Sequence, residues 1–312
     1  MPRFRHAGGM IDQPPQLVDE AAHQRQRDRA AAGYARHDFF KKAVAERVVD
    51  RLDAVRREFP LVADIGCHGG QLARMLMDHP AIGRVLAQDP SPAMAAAASE
   101  NGCEAIAAPY ENLPFAEESL DGIFSAFALH WVNDLPGMLL RLRRLLKPDG
   151  LMVVALPGGE TLSNLRAALT DAETAVLGGM SPRVMPMADI RDMGGLIGRA
   201  GLALPVADSD SLTVTWPDAF ALMRDLRGMA EGNALAARRR QFTPREVMMR
   251  TALSMQERFA DADGRIEAVF EVVTLTGWAP HESQQQPLRP GSASARLADA
   301  LGSSEYDPEQ SE

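Results

Sequence analysis

Two cysteines in 312 residues, Cys67 and Cys103, are too few for a disulfide framework, and their spacing fits no metal motif. They suit a reducing compartment. No apolar run reaches the roughly 18–20 residues of a bilayer-spanning helix, so no transmembrane segment is expected. Positive charge is in deficit, with 33 Lys and Arg against 42 Asp and Glu and a net charge of -9. That argues against nucleic acid as a main partner, since such binding needs a cationic surface to displace counterions. The opening Met1-Pro2-Arg3-Phe4-Arg5 is basic but has no apolar core, so a secretory signal is not expected and the start reads as a loose terminus. No internal repeat is visible. What remains is 46% hydrophobic and 24% charged, an ordinary globular composition on a chain long enough to bury a core.

The stretch Val62-Ala63-Asp64-Ile65-Gly66-Cys67-His68-Gly69-Gly70 organises the rest. A short apolar run ends in an acid and then in glycines, after which Gln71-Leu72-Ala73-Arg74-Met75-Leu76 opens a helical pattern. Strand, glycine turn and helix let backbone N–H groups come close to a nucleotide or nucleoside. Asp89 ends the next strand-like run, Arg84 to Gln88, nineteen residues after Gly70. An acid there can hold two ribose hydroxyls, because the second strand of such a unit lies beside the first.

Around this pivot the pattern alternates. Strands are expected at 61–66, 84–88, 104–108, 121–126 and 150–156, and helices at 70–79, 92–101 and 134–147. Asp134 is placed to cap the last helix, Pro136 sits in its first turn, and Leu135, Leu139, Leu142 and Leu146 form its stripe. This alternation predicts a doubly wound parallel sheet of the α/β class. Upstream, Phe39, Phe40, Val44, Val48, Val49 and Leu52 mark one face of a helix over 38–58, and the run Gln24 to Arg29 reads as a solvated helix face. Downstream, helices are expected at 159–177 and 188–200, strands at 203–215 and 265–278, and a helical insertion at 217–262. Nine of the sixteen methionines lie between 180 and 255, which suits soft packing in an irregular lid or partner surface. Arg238-Arg239-Arg240 reads as another solvated helix face. The expected organisation is an N-terminal helical region (1–58), a cofactor-binding core (59–157), the second half of the fold (158–278) and a tail (279–312), largely disordered after 302.

A glycine turn on an open sheet could serve NAD or S-adenosylmethionine. Three features favour S-adenosylmethionine. Asp64 stands inside the end of the first strand; Glu111-Asn112-Leu113-Pro114-Phe115 precedes Ser119-Leu120-Asp121-Gly122-Ile123-Phe124; and Leu145-Leu146-Lys147-Pro148-Asp149-Gly150 follows. In this order they resemble class I S-adenosylmethionine-dependent methyltransferases, a Rossmann-like doubly wound fold, here with N-terminal helices and a helical insertion before the last strand. The resemblance implies cofactor contacts at Asp64, Gly66, His68, Gly70, Asp89, Glu111 and Ser125. Two positions depart from it. His68 replaces the usual middle glycine, where a left-handed histidine costs roughly 1 kcal/mol and sets an imidazole near the ligand's charged end. Pro109 stands where an aspartate often receives the adenine amino group, a task left to Glu111 or to backbone carbonyls.

A narrower likeness follows from Phe127-Ala128-Leu129-His130-Trp131-Val132-Asn133-Asp134, Gly158-Gly159-Glu160-Thr161-Leu162, Ser181-Pro182-Arg183 and Met223-Arg224-Asp225-Leu226-Arg227-Gly228-Met229. The most specific piece is Thr276-Gly277-Trp278-Ala279-Pro280-His281-Glu282-Ser283-Gln284, followed by Arg289-Pro290-Gly291-Ser292-Ala293. These resemble the methyltransferase-like assembly factors of respiratory complex I, whose members are arginine hydroxylases acting on an iron–sulfur subunit. The likeness runs from about residue 17 to 300. A weaker one, mostly within 60–156, links the chain to malonyl-carrier-protein methyltransferases of biotin synthesis. The first resemblance implies a protein substrate in complex I, a bacterial cytoplasmic setting (the mitochondrial matrix in a eukaryote) and room for peripheral membrane contact.

Ligands in such a sheet lie beyond the carboxyl ends of the strands, at the switch between the first and fourth. His130, as a base or orienting group, and Trp131, stacked on a cation, are therefore the candidate catalytic residues; packing under the helix from 134 is their alternative role. Methyl transfer asks mainly for alignment. Hydroxylation is implied by the resemblance alone, since no spacing suggests two histidines and a carboxylate on iron, and no metal is expected. Three functions remain open: modification of a protein arginine, methyl transfer to a small or carrier-bound acid, and an assembly chaperone that keeps the fold without turnover.

Overall fold

The computed structural model describes residues 16–285 and 302–303. The chain divides into a unit ending at Pro280 and a second beginning at His281. In the second, the His281 ring lies 2.7 Å from the Ser283 hydroxyl. The loose start, the Arg289–Ala293 signature and the expected disorder at 304–312 lie outside the described residues.

In the first unit the chain runs through α1 (Glu20–Ala31), α2 (Phe39–Asp53), β1 (Phe59–Ile65), α3 (Gln71–Asp78), β2 (Ile82–Asp89), α4 (Pro92–Glu100) and β3 (Glu104–Ala107). It continues through β4 (Leu120–Ala126), α5 (Leu135–Leu145), β5 (Leu146–Pro157), α6 (Ser163–Leu177) and α7 (Ile190–Arg199). β6 (Ala203–Trp216), α8 (Ala219–Gly228), α9 (Arg245–Phe259) and β7 (Ile266–Trp278) complete it. The strands form one seven-stranded sheet in the order β3-β2-β1-β4-β5-β7-β6.

Local chemistry sets the helix starts. Asp19 accepts from the Ala22 amide at 2.9 Å, Ser91 from Met94 at 3.1 Å and Asp134 from Gly137 at 2.9 Å. Pro92 and Pro136 fill first-turn positions where a missing N–H is harmless. Every residue of β4 is buried, as are Leu151–Pro157 of β5, because helices cover both faces. One core gathers Phe40, Val48, Phe124, Leu165 and Phe270; the other, across the sheet, gathers Ile65, Ile123, Leu139, Met152 and Ile197.

Several expectations need correction. β1 to β5 are parallel, but β7 runs antiparallel to both β5 and β6, since β7 returns between them as a partner of each. α5 stops at Leu145, so Leu146 opens β5 and the buried stripe is Met138, Leu139, Leu142 and Leu145. Phe39 is 41% exposed at the start of α2, outside its buried face. The insertion is two helices, α8 and α9, joined by irregular chain over 229–244. Arg238–Arg240 lie in that irregular stretch rather than on a helix, and Arg238 bonds Asp19 at 2.9 Å.

The sheet's topology places the site. From β1 the chain winds outward to β3, then crosses back to β4, so the carboxyl ends of β1 and β4 border a crevice.

Candidate functional site

The chain leaves β1 through a tight turn. Gly66 has φ +74° and its N–H donates to the Gln88 carbonyl at 2.8 Å. A Cβ there would run into the Ala128 side chain and lie 2.7 Å from the Tyr110 hydroxyl. Gly66→Ala should therefore lower stability by about 2–5 kcal/mol in urea unfolding, from backbone strain and overpacking together. His68 takes the left-handed backbone at φ +51° and its N–H donates to Asp89 Oδ2 at 2.9 Å. Gly70, at φ +88°, is the cap residue just before α3.

Asp89 is fully buried and saturated with donors. Its Oδ1 accepts from the Ser91 amide at 2.8 Å and from Arg27 Nε at 3.1 Å, and Arg27 Nη2 pairs with Oδ2. Arg27 Nη1 lies 3.2 Å from His68 Nε2, so that nitrogen accepts and Nδ1 carries the ring proton. The His68 ring stacks on Tyr34, with centroids 5.6 Å apart. Nearby, both carboxyl oxygens of Asp64 and the hydroxyls of Tyr34 and Tyr110 are buried without hydrogen-bond partners.

Two spaces flank this cluster. A cavity of only about 10 Å³ touches Asp64, Gly66, His68 and Lys41. A groove of about 390 Å³ runs past Pro90, Pro109, Tyr110 and Glu111, with His23 and Glu20 of α1 on its wall. Pro109 and Glu111 thus border open space, whereas Ser125 donates its hydroxyl to the Ile65 carbonyl at 2.7 Å and ties β4 to β1.

Beyond β4 the turn at Leu129–Trp131 carries both catalytic candidates. His130 Nε2 and Trp131 Nε1 each sit 3.0 Å from Glu231 Oε2, on the irregular chain after α8. Lys41 of α2 donates to Glu231 Oε1 and, at 2.5 Å, to the Phe127 carbonyl. Trp131 also stacks on His23 of α1, with centroids 4.5 Å apart. Glu231, His130 and Trp131 line a cavity of about 460 Å³ whose other walls include Phe127, Leu165, Met185 and Met223. Five of the methionines noted in the sequence, Met185, Met187, Met223, Met229 and Met248, face this space.

Burial governs the protonation states. Burial works against ionised Glu231, yet Lys41 and then His130 outweigh it and hold the carboxyl well below the usual range. Burial, aided by Arg27, pushes His23 down to about 2 and His68 well below its ordinary value. Burial also lowers His130 against the pull of Glu231. Asp64 moves the other way, pushed up to about 8 by burial, with the Ala73 amide opposing the rise.

These shifts set a pH profile for stability. Below about 6.5 the unfolded chain takes up protons on three histidines that the fold keeps neutral, so stability falls on acidification. Asp64 keeps its proton in the fold and loses it when unfolded, so its contribution is complete below pH about 4 and is lost as pH rises to about 8. Three groups outweigh one on the acid side, and Asp64 alone acts above it. Urea midpoints should peak near pH 6.5, and Asp64→Asn should flatten the decline between about 6.5 and 8, up to about 1.4 kcal/mol per pH unit.

The strand order, the left-handed glycine turn and the acid at the end of β2 define a class I methyltransferase-type domain. A methyltransferase-domain family model matches residues 63–154. The chain is 35% identical over 287 residues, 91% of its length and 89% of the relative's, to the mitochondrial arginine-hydroxylase NDUFAF5 of Danio rerio. It is 31% identical to the malonyl-[acyl-carrier protein] O-methyltransferase of Laribacter hongkongensis, over 85% of this chain and 91% of that one. The YcgJ protein of Bacillus subtilis shares the fold, with a TM-score of 0.53 and 16% identity over 75% of this chain and 98% of that one. Within this class the chain belongs to the family of the NDUFAF5 arginine-hydroxylases. Among the described residues no helix is long and apolar enough to cross a membrane, and no cluster of three His, Cys, Asp or Glu side chains could hold a metal ion.

The structure gathers Asp64, Gly66, His68, Gly70 and Asp89 at one end of β1 and β2, and His130 with Trp131 at the end of β4. Several residues of the cluster were not singled out from the sequence, among them Tyr34, Tyr110, Glu231, Lys41 and Arg27. Glu231 and Lys41 carried no local signal. Arg27 lay in a run read as solvated, a reading that holds for Arg25 and Arg29 but fails for Arg27, 1% exposed. Its spacing from His23 and Ala30 puts it on the buried face of α1, which was the available clue.

Proposed function

We propose that this chain binds S-adenosylmethionine across the 66–70 turn and Asp89, and modifies a protein arginine in the 460 Å³ cavity beyond β4. The substrate in this reading is an iron–sulfur subunit of complex I, and the setting is the bacterial cytoplasm. One observation carries it. The Lys41–Glu231 pair stands between the two spaces, with Lys41 on the wall of the turn's cavity and Glu231 on the wall of the larger one. A group bound in the cavity would meet the cofactor at that partition.

The residues present suit such a cofactor. Asp89 offers two oxygens to a ribose, Pro109 and Glu111 border the groove on the adenine side, and Asp64, Tyr34 and Tyr110 have polar atoms buried without partners. S-adenosylmethionine bound there supplies an activated methyl group on a sulfonium. The chain's own part is to place the substrate: Glu231 presents an anionic oxygen suited to a guanidinium, and His130 and Trp131 fix its orientation. A malonyl carboxylate would instead meet Glu231 as a like charge in a poorly solvated cavity, which favours arginine over a carrier-bound acid. Two arginines also line the cavity: Arg183, which is engaged by Glu173, and Arg227.

Mass spectra of complex I iron–sulfur subunits from strains with and without the gene test this reading. One arginine should be modified only when the gene is present. The same modification in the deletion strain would remove the reading.

A further inference from the structure

The carboxylate suited to a ribose is already held by the protein. Arg27 grips both oxygens of Asp89 and reaches His68, which lines the 10 Å³ cavity at the glycine turn, while Pro90, next to Asp89, lines the separate groove. A nucleoside joined to an amino acid needs both spaces as one, and sites for ligands of that size run to several hundred Å³. The donors and acceptors fit the cofactor; the closed space does not.

Resting on the cofactor reading above, we propose that α1 is a gate latched by Arg27, and that the cofactor enters only after α1 lifts and frees Asp89. The latch has a physical purpose. Without a ligand, Asp89 would be a buried carboxylate short of partners, and Arg27 supplies the missing charge. A ribose replaces it there, bonding to oxygens still oriented by the His68 and Ser91 amides.

The rest of α1 is built to undock. Its buried face is Ala22, His23, Arg27 and Ala30, with little apolar surface to hold it down. Discrete polar contacts seat it: Asp19 with Arg238 at 2.9 Å, Gln26 with the Asn233 carbonyl at 3.0 Å, and Asp28 with the Ser91 hydroxyl at 2.5 Å. Two of these partners, Asn233 and Arg238, lie on the segment that carries Glu231. Lifting α1 therefore also removes two contacts that hold the segment forming part of the substrate cavity's wall.

The test is stopped-flow binding of S-adenosylhomocysteine, followed by the intrinsic tryptophan fluorescence to which Trp131, stacked on His23 of the gate, contributes. In the wild type the observed rate should level off with ligand concentration at the rate of opening. Arg27→Gln removes the latch, and Asp19→Ala loosens the far end of α1 without touching the half-site. Each should raise the limiting rate about tenfold. Thermal unfolding identifies a variant that fails to fold; if Arg27→Gln does, Asp19→Ala decides. A rate linear in ligand for the wild type, or an unchanged limit in the folded variants, overturns the gate and leaves the cofactor reading intact. No binding by any of the three proteins overturns both.

Discussion

Glu231→Leu should abolish arginine modification and lower stability by about 3–5 kcal/mol in urea unfolding. The stability loss comes mainly from Lys41, which is 3% exposed and would keep only the Phe127 carbonyl as a hydrogen-bond acceptor, and further from His130 and Trp131, which both lose Glu231 Oε2. Adding Lys41→Met to the variant should recover the part of that stability owed to the unpaired lysine, since two apolar side chains then replace the buried ion pair. Activity should not return with it. That split separates the carboxylate's role toward substrate from its role in the fold, and a double variant that regains modification would contradict the assignment of Glu231 to the active site.

Asp89→Ala should have a comparable effect at the other half of the site. Arg27, as deeply buried as Lys41, would lose its counter-ion, and about 3–5 kcal/mol of stability should go with it. Binding of S-adenosylhomocysteine should weaken about 100-fold or more, because two hydrogen bonds to a charged acceptor vanish. The pair Arg27→Leu with Asp89→Leu should recover only the part of that stability owed to the unpaired guanidinium, since the His68 and Ser91 amides still lack an acceptor, and it should still not bind. Calorimetric titration of the three proteins reads the binding and urea unfolding reads the stability; tight binding by the double variant would place the sugar elsewhere.

The geometry at the ends of β1 and β2 was legible in the sequence because its parts are local. A strand, a turn needing left-handed residues at 66, 68 and 70, a helix and an acid all fall between 59 and 89, and each leaves its own mark. Even the departure at His68 was readable as a left-handed histidine. The partition at Glu231 was not, because its pairing with Lys41 spans 190 residues and joins a helix near the start to irregular chain after α8. Arg27 escaped notice for a related reason. A long cationic side chain between two exposed arginines looks solvated until a partner 62 residues away is known. His130 and Trp131 fall between these cases: their place after β4 was predictable from topology, but their common acceptor was not.

The antiparallel pairing of β7 with β5 and β6 carried no signature either. Strand patterns at 203–215 and 265–278 announce strands without a direction, and the two-helix connection between them is compatible with either sense. The consequence for function is direct, because this connection places Glu231 across from the end of β4.

A crystal structure of the protein grown with S-adenosylhomocysteine tests the central claim most directly. The account predicts the ribose hydroxyls on Asp89, the amino-acid end beside the 66–70 turn, and Arg27 drawn away from the carboxylate. A ligand bound elsewhere, or one bound while Arg27 still holds Asp89, would contradict it.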